Sequence, residues 1–173
     1  MTVLTEYDER WPGLFTAMAD RLRPLLGASV TEIEHIGSTA VPGLLAKPVI
    51  DIAARSVSLD EVAGKDLSPL GFEYHPDGPP GRRTYTRVVD DVLTHNLHVF
   101  PAEVWDTLNQ RILRDYLRET PSAVERYAAL KRELAASGLR GFDYTVAKTD
   151  LVQQLTDEAR TRRGLPSVPV WES

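Results

Sequence analysis

The chain contains no cysteine. Disulfides and thiolate metal sites are therefore excluded. Lysine is scarce, with four lysines against sixteen arginines. Long apolar runs are missing as well: none approaches the roughly 20 residues that cross a bilayer. The first ten residues, Met1 to Arg10, are acidic and hold no signal-peptide core. An excess of positive charge is also absent. The net charge is −5, which argues against broad contact with a nucleic-acid duplex. Internal repeats and low-complexity tracts do not occur. These absences lead us to expect a cytoplasmic protein without a membrane segment.

What is present suits a globular fold. The 173 residues can bury a substantial core, and 42% hydrophobic with 26% charged residues is ordinary. We expect one domain over residues 1–163 and a tail over 164–173, either disordered or docked through Trp171. Residues 7–26 place Trp11, Leu14, Phe15, Met18 and Leu22 at helical spacing, with Pro12 in the first turn and Gly27 at the stop. Val30–Ile36 and Val49–Ala54 read as strands. Ser58–Leu67 reads as a short helix and Leu70–Tyr74 as a return to the sheet. Thr84–Val89 and Val92–Phe100 form a hairpin around Asp90-Asp91. Ala102–Glu119, a helix opened by Pro121 and a last helix capped by Asp143 make the C-terminal half helical. The fold class is α+β: a small mixed sheet flanked by helices, with a C-terminal helical layer.

The chemistry gathers on His35–Ile52. An apolar strand ends in Gly37-Ser38-Thr39, and a second carries one acid, Asp51, near its middle. Glycine lets a ligand approach the backbone, and the following N–H groups can face a phosphate. An ionised Asp51 inside an apolar strand needs a cation or hydrogen bonds. The pair suggests a phosphate cradle facing a metal-binding carboxylate, although one aspartate also caps helices or pairs with arginine. Lys47, four residues before Asp51, either contacts a phosphate or Asp51, or is an ordinary surface lysine. The loop His75–Gly81 leads into Arg82, Arg83 and Arg87; it is either a lid with phosphate-binding arginines or a solvated hairpin tip. Strand alternation puts Asn96 and His98 on one face and His95 on the other, so His98 is the better candidate to face Asp51. Lys148 lies on the apolar stripe of the last helix, four residues from Tyr144, and must snorkel or meet an anion. Arg114 and Arg118 either line the same cleft or are solvated.

Glu34–Ile52 resembles the signature of the GrpB (UPF0157) family. His95-Asn96-Leu97-His98-Val99, Arg114-Asp115-Tyr116-Leu117-Arg118, Tyr127 with Leu130-Lys131, and Tyr144 with Lys148 extend the resemblance over nearly the whole chain. Three of the four lysines fall in these blocks. The resemblance implies a nucleotidyltransferase-like fold and kinship with a domain fused behind dephospho-CoA kinase in some bacteria. In that superfamily a Gly-Ser turn precedes a strand with two acids two residues apart. Gly37-Ser38 and Asp51 match, Ala53 occupies the second acid position, and His98 is the candidate for the third. The implied function is a metal-dependent nucleotidyltransferase-like protein binding a nucleotide or another phosphorylated small molecule, with Mg²⁺ as cofactor. Asp51, His98 and Lys47 are the catalytic candidates, and Asp51 with His98 the metal ligands. Gly37, Ser38, Thr39, Arg83, Tyr144 and Lys148 are the phosphate-binding candidates. Two alternatives stand beside it: a non-catalytic module that binds or stabilises a partner, and a small-molecule transferase or ligase of different chemistry.

Overall fold

Alternation along two central strands decides which side chains meet the site. The computed structural model describes residues 3–139 and 141–170, apart from the side chains of residues 141, 142 and 145. Five strands, β1 (Val30–Ile36), β2 (Ile50–Ser56), β3 (Phe72–Tyr74), β4 (Arg83–Val89) and β5 (Val92–Pro101), form a mixed sheet in the order β1-β2-β5-β4-β3. Only β2 and β5 run parallel; the other pairs are antiparallel. The β4–β5 turn places Asp90 and Asp91 at φ 50° and 62°. Short polar side chains tolerate that left-handed pair, which matches the twist of a two-residue hairpin. The mixed α+β sheet flanked by helices is the expected fold class.

The two faces differ in chemistry. Ile50, Ile52, Ala54, Tyr85, Leu97 and Val99 point toward helix α1 (Trp11–Leu26) and pack with Met18, Leu22 and Leu26. The opposite face carries Glu34, Ile36, Asp51, Ala53, Asn96 and His98, as the register of β1, β2 and β5 dictates. Helices α3 (Asn109–Glu119), α4 (Pro121–Ser137) and α5 (Gly141–Arg162) make the C-terminal layer. Their own core joins Ile112, Leu117, Tyr127 and Leu155 to Val41, Leu44 and Leu45 of the β1–β2 connection.

Several boundaries differ from the sequence expectation. The expected helix over Ala102–Glu119 is split into a 3₁₀ segment, Ala102–Thr107, and α3. Leu108 between them is extended, with φ −63° and ψ 122°. Burial of Trp105, whose indole N–H donates to Glu32 at 2.8 Å, and donation from Arg111 to the Trp105 carbonyl at 2.8 Å hold the break. The expected helix over Ser58–Leu67 contracts to α2 (Leu59–Ala63), where the Ser58 hydroxyl caps the Glu61 N–H. Asp143 lies in the first turn of α5 rather than at its cap. Residues 166–170 fold back along α5 instead of trailing away. Gln153 bonds the Val168 carbonyl and the Val170 N–H, and Arg160 donates to the Pro166 carbonyl at 2.6 Å. Trp171 lies outside the described residues. No helix among the described residues is long and apolar enough to cross a membrane.

The helical layer is fastened to the sheet through Glu34. Arg111 donates to both its oxygens, at 2.9 and 3.0 Å, and buried Arg114 donates at 2.7 Å. Burial alone would raise the Glu34 pKa, but the two guanidinium groups overcome it and hold the value below the ordinary 4.5. A depressed carboxylate pKa adds stability that is fully present above the unfolded value and lost as pH falls through the folded one. Glu34→Gln is expected to cost about 2–3 kcal/mol at pH 7, because it leaves Arg114 short of a charged partner. The difference from wild type should shrink as pH drops below 4.5. Urea denaturation at pH 7 and pH 4 measures both.

Candidate functional site

Asp51 lies at mid-sheet between two hollows that open toward the helical layer. Its carboxylate accepts a hydrogen bond from the Asn96 side chain at 2.9 Å, its partner across the parallel ladder. Gly37 closes the other side. A Cβ at Gly37 would lie 2.5 Å from the second Asp51 oxygen, and its φ of 76° is one that other residues adopt poorly. Glycine is therefore required twice, for conformation and for space. Burial raises the Asp51 pKa; the Asn96 bond and the charges of Lys148 and Lys131 oppose that rise. No arginine pairs with Asp51 among the described residues.

The first hollow, of about 290 Å³, is bordered by Lys47, Lys131, Lys148 and Tyr144. Lys131 is buried and donates to the Ser38 hydroxyl at 2.6 Å and to the Leu45 carbonyl at 3.1 Å. Burial, with repulsion from Lys148 and Lys47, lowers its pKa to about 7. Burial acts in the same direction on Lys148, but Tyr127, Tyr144 and Asp51 outweigh it and leave its pKa raised. Of the two neighbours, Lys148 is thus the permanent cation and Lys131 the one that titrates. Lys47 is exposed and stands 5.9 Å from the centre of the Tyr144 ring.

The second hollow, of about 330 Å³, shares Ser38, Asp51 and Lys148 with the first and adds Arg82, His98 and Arg114. His98 is held near 4 by burial and by Arg82, so it is neutral at pH 7. Its Nδ1 lies 3.5 Å from the Thr84 hydroxyl. Opposite Ala53 in the ladder, it stands two residues beyond the partner of Asp51. Asn96 is therefore the side chain bonded to Asp51, while His98 lines the same hollow farther along.

The structure brings Gly37, Ser38, Asp51, His98 and Lys148 to the second hollow, and Lys47 and Tyr144 to the first. Two candidates make other contacts. Thr39 borders the first hollow, but its hydroxyl turns inward, where it contacts His35 Nε2 at 2.9 Å and donates to the Val49 carbonyl at 3.2 Å. Arg83 points to the opposite face, stacked over Tyr74 at 3.9 Å and donating to the Tyr85 hydroxyl at 2.9 Å. Arg82, one residue earlier, faces the cleft instead, since a step of one residue reverses the face. Arg118 donates to the Ala40 carbonyl at 2.8 Å and so holds the end of the Gly37–Ala40 turn. Lys131 and Asn96 were absent from the sequence-derived site. The signal for Lys131 was present: it lies four residues after Tyr127 and three before Leu134, on the buried stripe of α4. Among the described residues, no three His, Cys, Asp or Glu side chains cluster as a metal centre.

Gly37→Ala tests the contact with Asp51. The added methyl group and the positive φ should together destabilise the protein by about 1–3 kcal/mol, measured by thermal or urea denaturation. Gly43→Ala is the control. It shares the positive φ, at 81°, but nothing lies within 4 Å of the new methyl group, so its loss should be smaller.

Comparison with known proteins agrees with this architecture. The GrpB protein family model matches residues 2–158. A UPF0157 protein of Halalkalibacterium halodurans is 38% identical over 161 residues, covering 90% of this chain and 81% of the relative. The crystal structure of conserved protein GrpB from Enterococcus faecalis superposes with a TM-score of 0.82 at 29% identity, covering 94% of this chain and 99% of that one. A dephospho-CoA kinase of Mycobacterium bovis is 41% identical over 70 residues, 39% of this chain and 17% of the kinase. With its family match, its UPF0157 relative and its structural counterpart all spanning most of the sequence, the chain belongs to the GrpB family.

Proposed function

We propose that the cleft binds a phosphate compound, a nucleotide foremost, in the manner of a nucleotidyltransferase-like site reduced to one carboxylate. One observation carries this reading. Buried Lys131 and half-buried Lys148 and Arg82 line the hollows that Asp51 borders, and none of the three has an ion-pair partner among the described residues. Removing cations from water without pairing them is costly unless an anionic ligand completes the site.

The residues also fit a magnesium ion carried in by such a ligand. Mg²⁺ is commonly held by one or two carboxylates together with substrate phosphates and water. Asp51 supplies one carboxylate, and neutral His98 supplies a ring nitrogen nearby. Bound there, the ion would neutralise phosphate charge at the point of transfer. The chain itself provides the rest. Lys148 and protonated Lys131 hold phosphate oxygens, Ser38 positions them through its hydroxyl, and Gly37 keeps the turn close to Asp51. Calorimetric titration with MgATP tests the reading. Wild type should bind, and Lys148→Ala should weaken binding by about tenfold to a hundredfold, the worth of a hydrogen bond to a charged group. Asp51→Ala should remove the magnesium dependence. Absence of binding by any nucleotide or polyphosphate would overturn the proposal.

Lys131 makes the site pH-dependent with a defined sign. An anion binds the ammonium form, so affinity should be full below pH 7 and fall above it, as the lysine loses its proton near 7. The fall can reach about tenfold per pH unit from this one group. Sulfate does not titrate in this range and isolates the protein's share. Its dissociation constant should rise between pH 6 and pH 8 in wild type and stay flat in Lys131→Met.

A second reading, a non-catalytic module supporting a partner enzyme, is favoured by the 70-residue match to dephospho-CoA kinase. It requires no ligand in the cleft, so a positive nucleotide titration that depends on Lys148 decides against it.

A further inference from the structure

Arg82 is the outlier among the arginines facing the helical layer. Arg111 and Arg114 both find Glu34, and Arg114 also finds Asp115. Arg82 has no ion pair and no hydrogen bond among the described residues, and its Nε is wholly buried without a partner. Its guanidinium lies 5.2 Å from the centre of the Phe100 ring, and burial lowers its pKa. The cation–π contact offsets only part of the lost hydration. Neutral His98 beside it offers no counter-charge. Arg82 borders the second hollow, whose lining also includes apolar Val41, Leu113 and Leu117 beside Gln110 and Arg114. At about 330 Å³ that hollow is at the small end of the range for ligand pockets.

We infer that the Arg82 hollow is a subsite for a small organic anion, a carboxylate or phosphomonoester with an apolar body. Its charged end would take the guanidinium fork, its body would lie on Leu113 and Leu117, and its far end would reach Asp51. Arginine suits this role because its planar fork matches a two-oxygen anion. Ser38, Asp51 and Lys148 border both hollows, so the organic anion and the phosphate compound would sit on either side of one carboxylate. That the anion is the second substrate of a transfer rests on the function proposed above; that it binds does not.

The test is a set of protein-detected NMR titrations of the full chain with 4-phenylbutyrate, phenyl phosphate and uncharged 4-phenylbutyramide. At least one anion should saturably shift resonances of Arg82, His98 and Leu113, and the amide should not. A carboxylate-only or phosphate-only response identifies the anion class. Arg82→Gln should weaken the responding anion by about tenfold or more, and Arg82→Lys, which keeps charge but not the fork, should fall between. A melting curve for each variant shows that it is folded. If neither anion shifts these resonances, or if the amide binds as well as the anions, the subsite is refuted. If an anion binds here while MgATP binds nowhere, the nucleotide reading fails and this one stands.

Discussion

A buried ammonium fixes how the two layers of this protein meet. Lys131 reaches from α4 to the Ser38 hydroxyl and the Leu45 carbonyl, with the Tyr127 ring 4.5 Å away. At the other end of the same turn, Arg118 from α3 holds the Ala40 carbonyl. The Gly37–Ala40 turn is thus clamped at both ends by cations of the helical layer. Because Gly37 packs on Asp51, the clamp also sets the one carboxylate of the cleft. The arrangement is expensive, since Lys131 is desolvated enough to release its proton near neutrality. Under the proposed function, an anion between Lys131 and Lys148 would offset part of that cost.

Local charge here runs against the overall charge. The chain carries a net −5, yet the cleft holds Lys47, Lys131, Lys148 and Arg82 around a single acid. Two acids on β1 and α3 are committed to arginines. Glu34 takes Arg111 and Arg114, and Asp115 takes Arg114 and Arg163. A negative surface with a positive hollow favours small anions over polyanionic duplexes, because a duplex must approach the whole face and a small ligand only the hollow.

Much of the frame was legible in the sequence, and what was missed has physical causes. Alternation placed Asn96 and His98 on one face and His95 on the other, as observed, because strand period is insensitive to where a strand begins. The choice between Arg82 and Arg83 had no such protection. Both lie where a proline- and glycine-rich loop enters β4, and one residue of register decides which reaches the cleft. Gly37-Ser38 and Asp51 were visible as a motif, but the contact between them is tertiary. Lys131 carries the same stripe signal as Lys148, but its partners, 93 and 86 residues away in sequence, are set only by the tertiary fold. The break at Leu108 was illegible for the same reason, since it depends on Glu32 and Arg111 holding Trp105.

The absence of a second acid follows from packing. Position 53 shares the face of Asp51, but Ala53 is fully buried with Ile36, Phe100, Trp105 and Leu108. The 3₁₀ segment Ala102–Thr107 covers β2 at that level, pinned through Trp105 to Glu32. A carboxylate at 53 would enter this apolar cluster with Glu34, which already takes Arg111 and Arg114, on one side and neutral His98 on the other, so burial and the like charge of Glu34 would raise its pKa or it would break the packing. The cleft therefore ends one rung beyond Asp51 along β2 and widens sideways, toward the lysines on one side and Arg82 on the other. A metal ion bound there, as proposed above, would find one protein carboxylate, Asp51, and would need most of its oxygens from elsewhere.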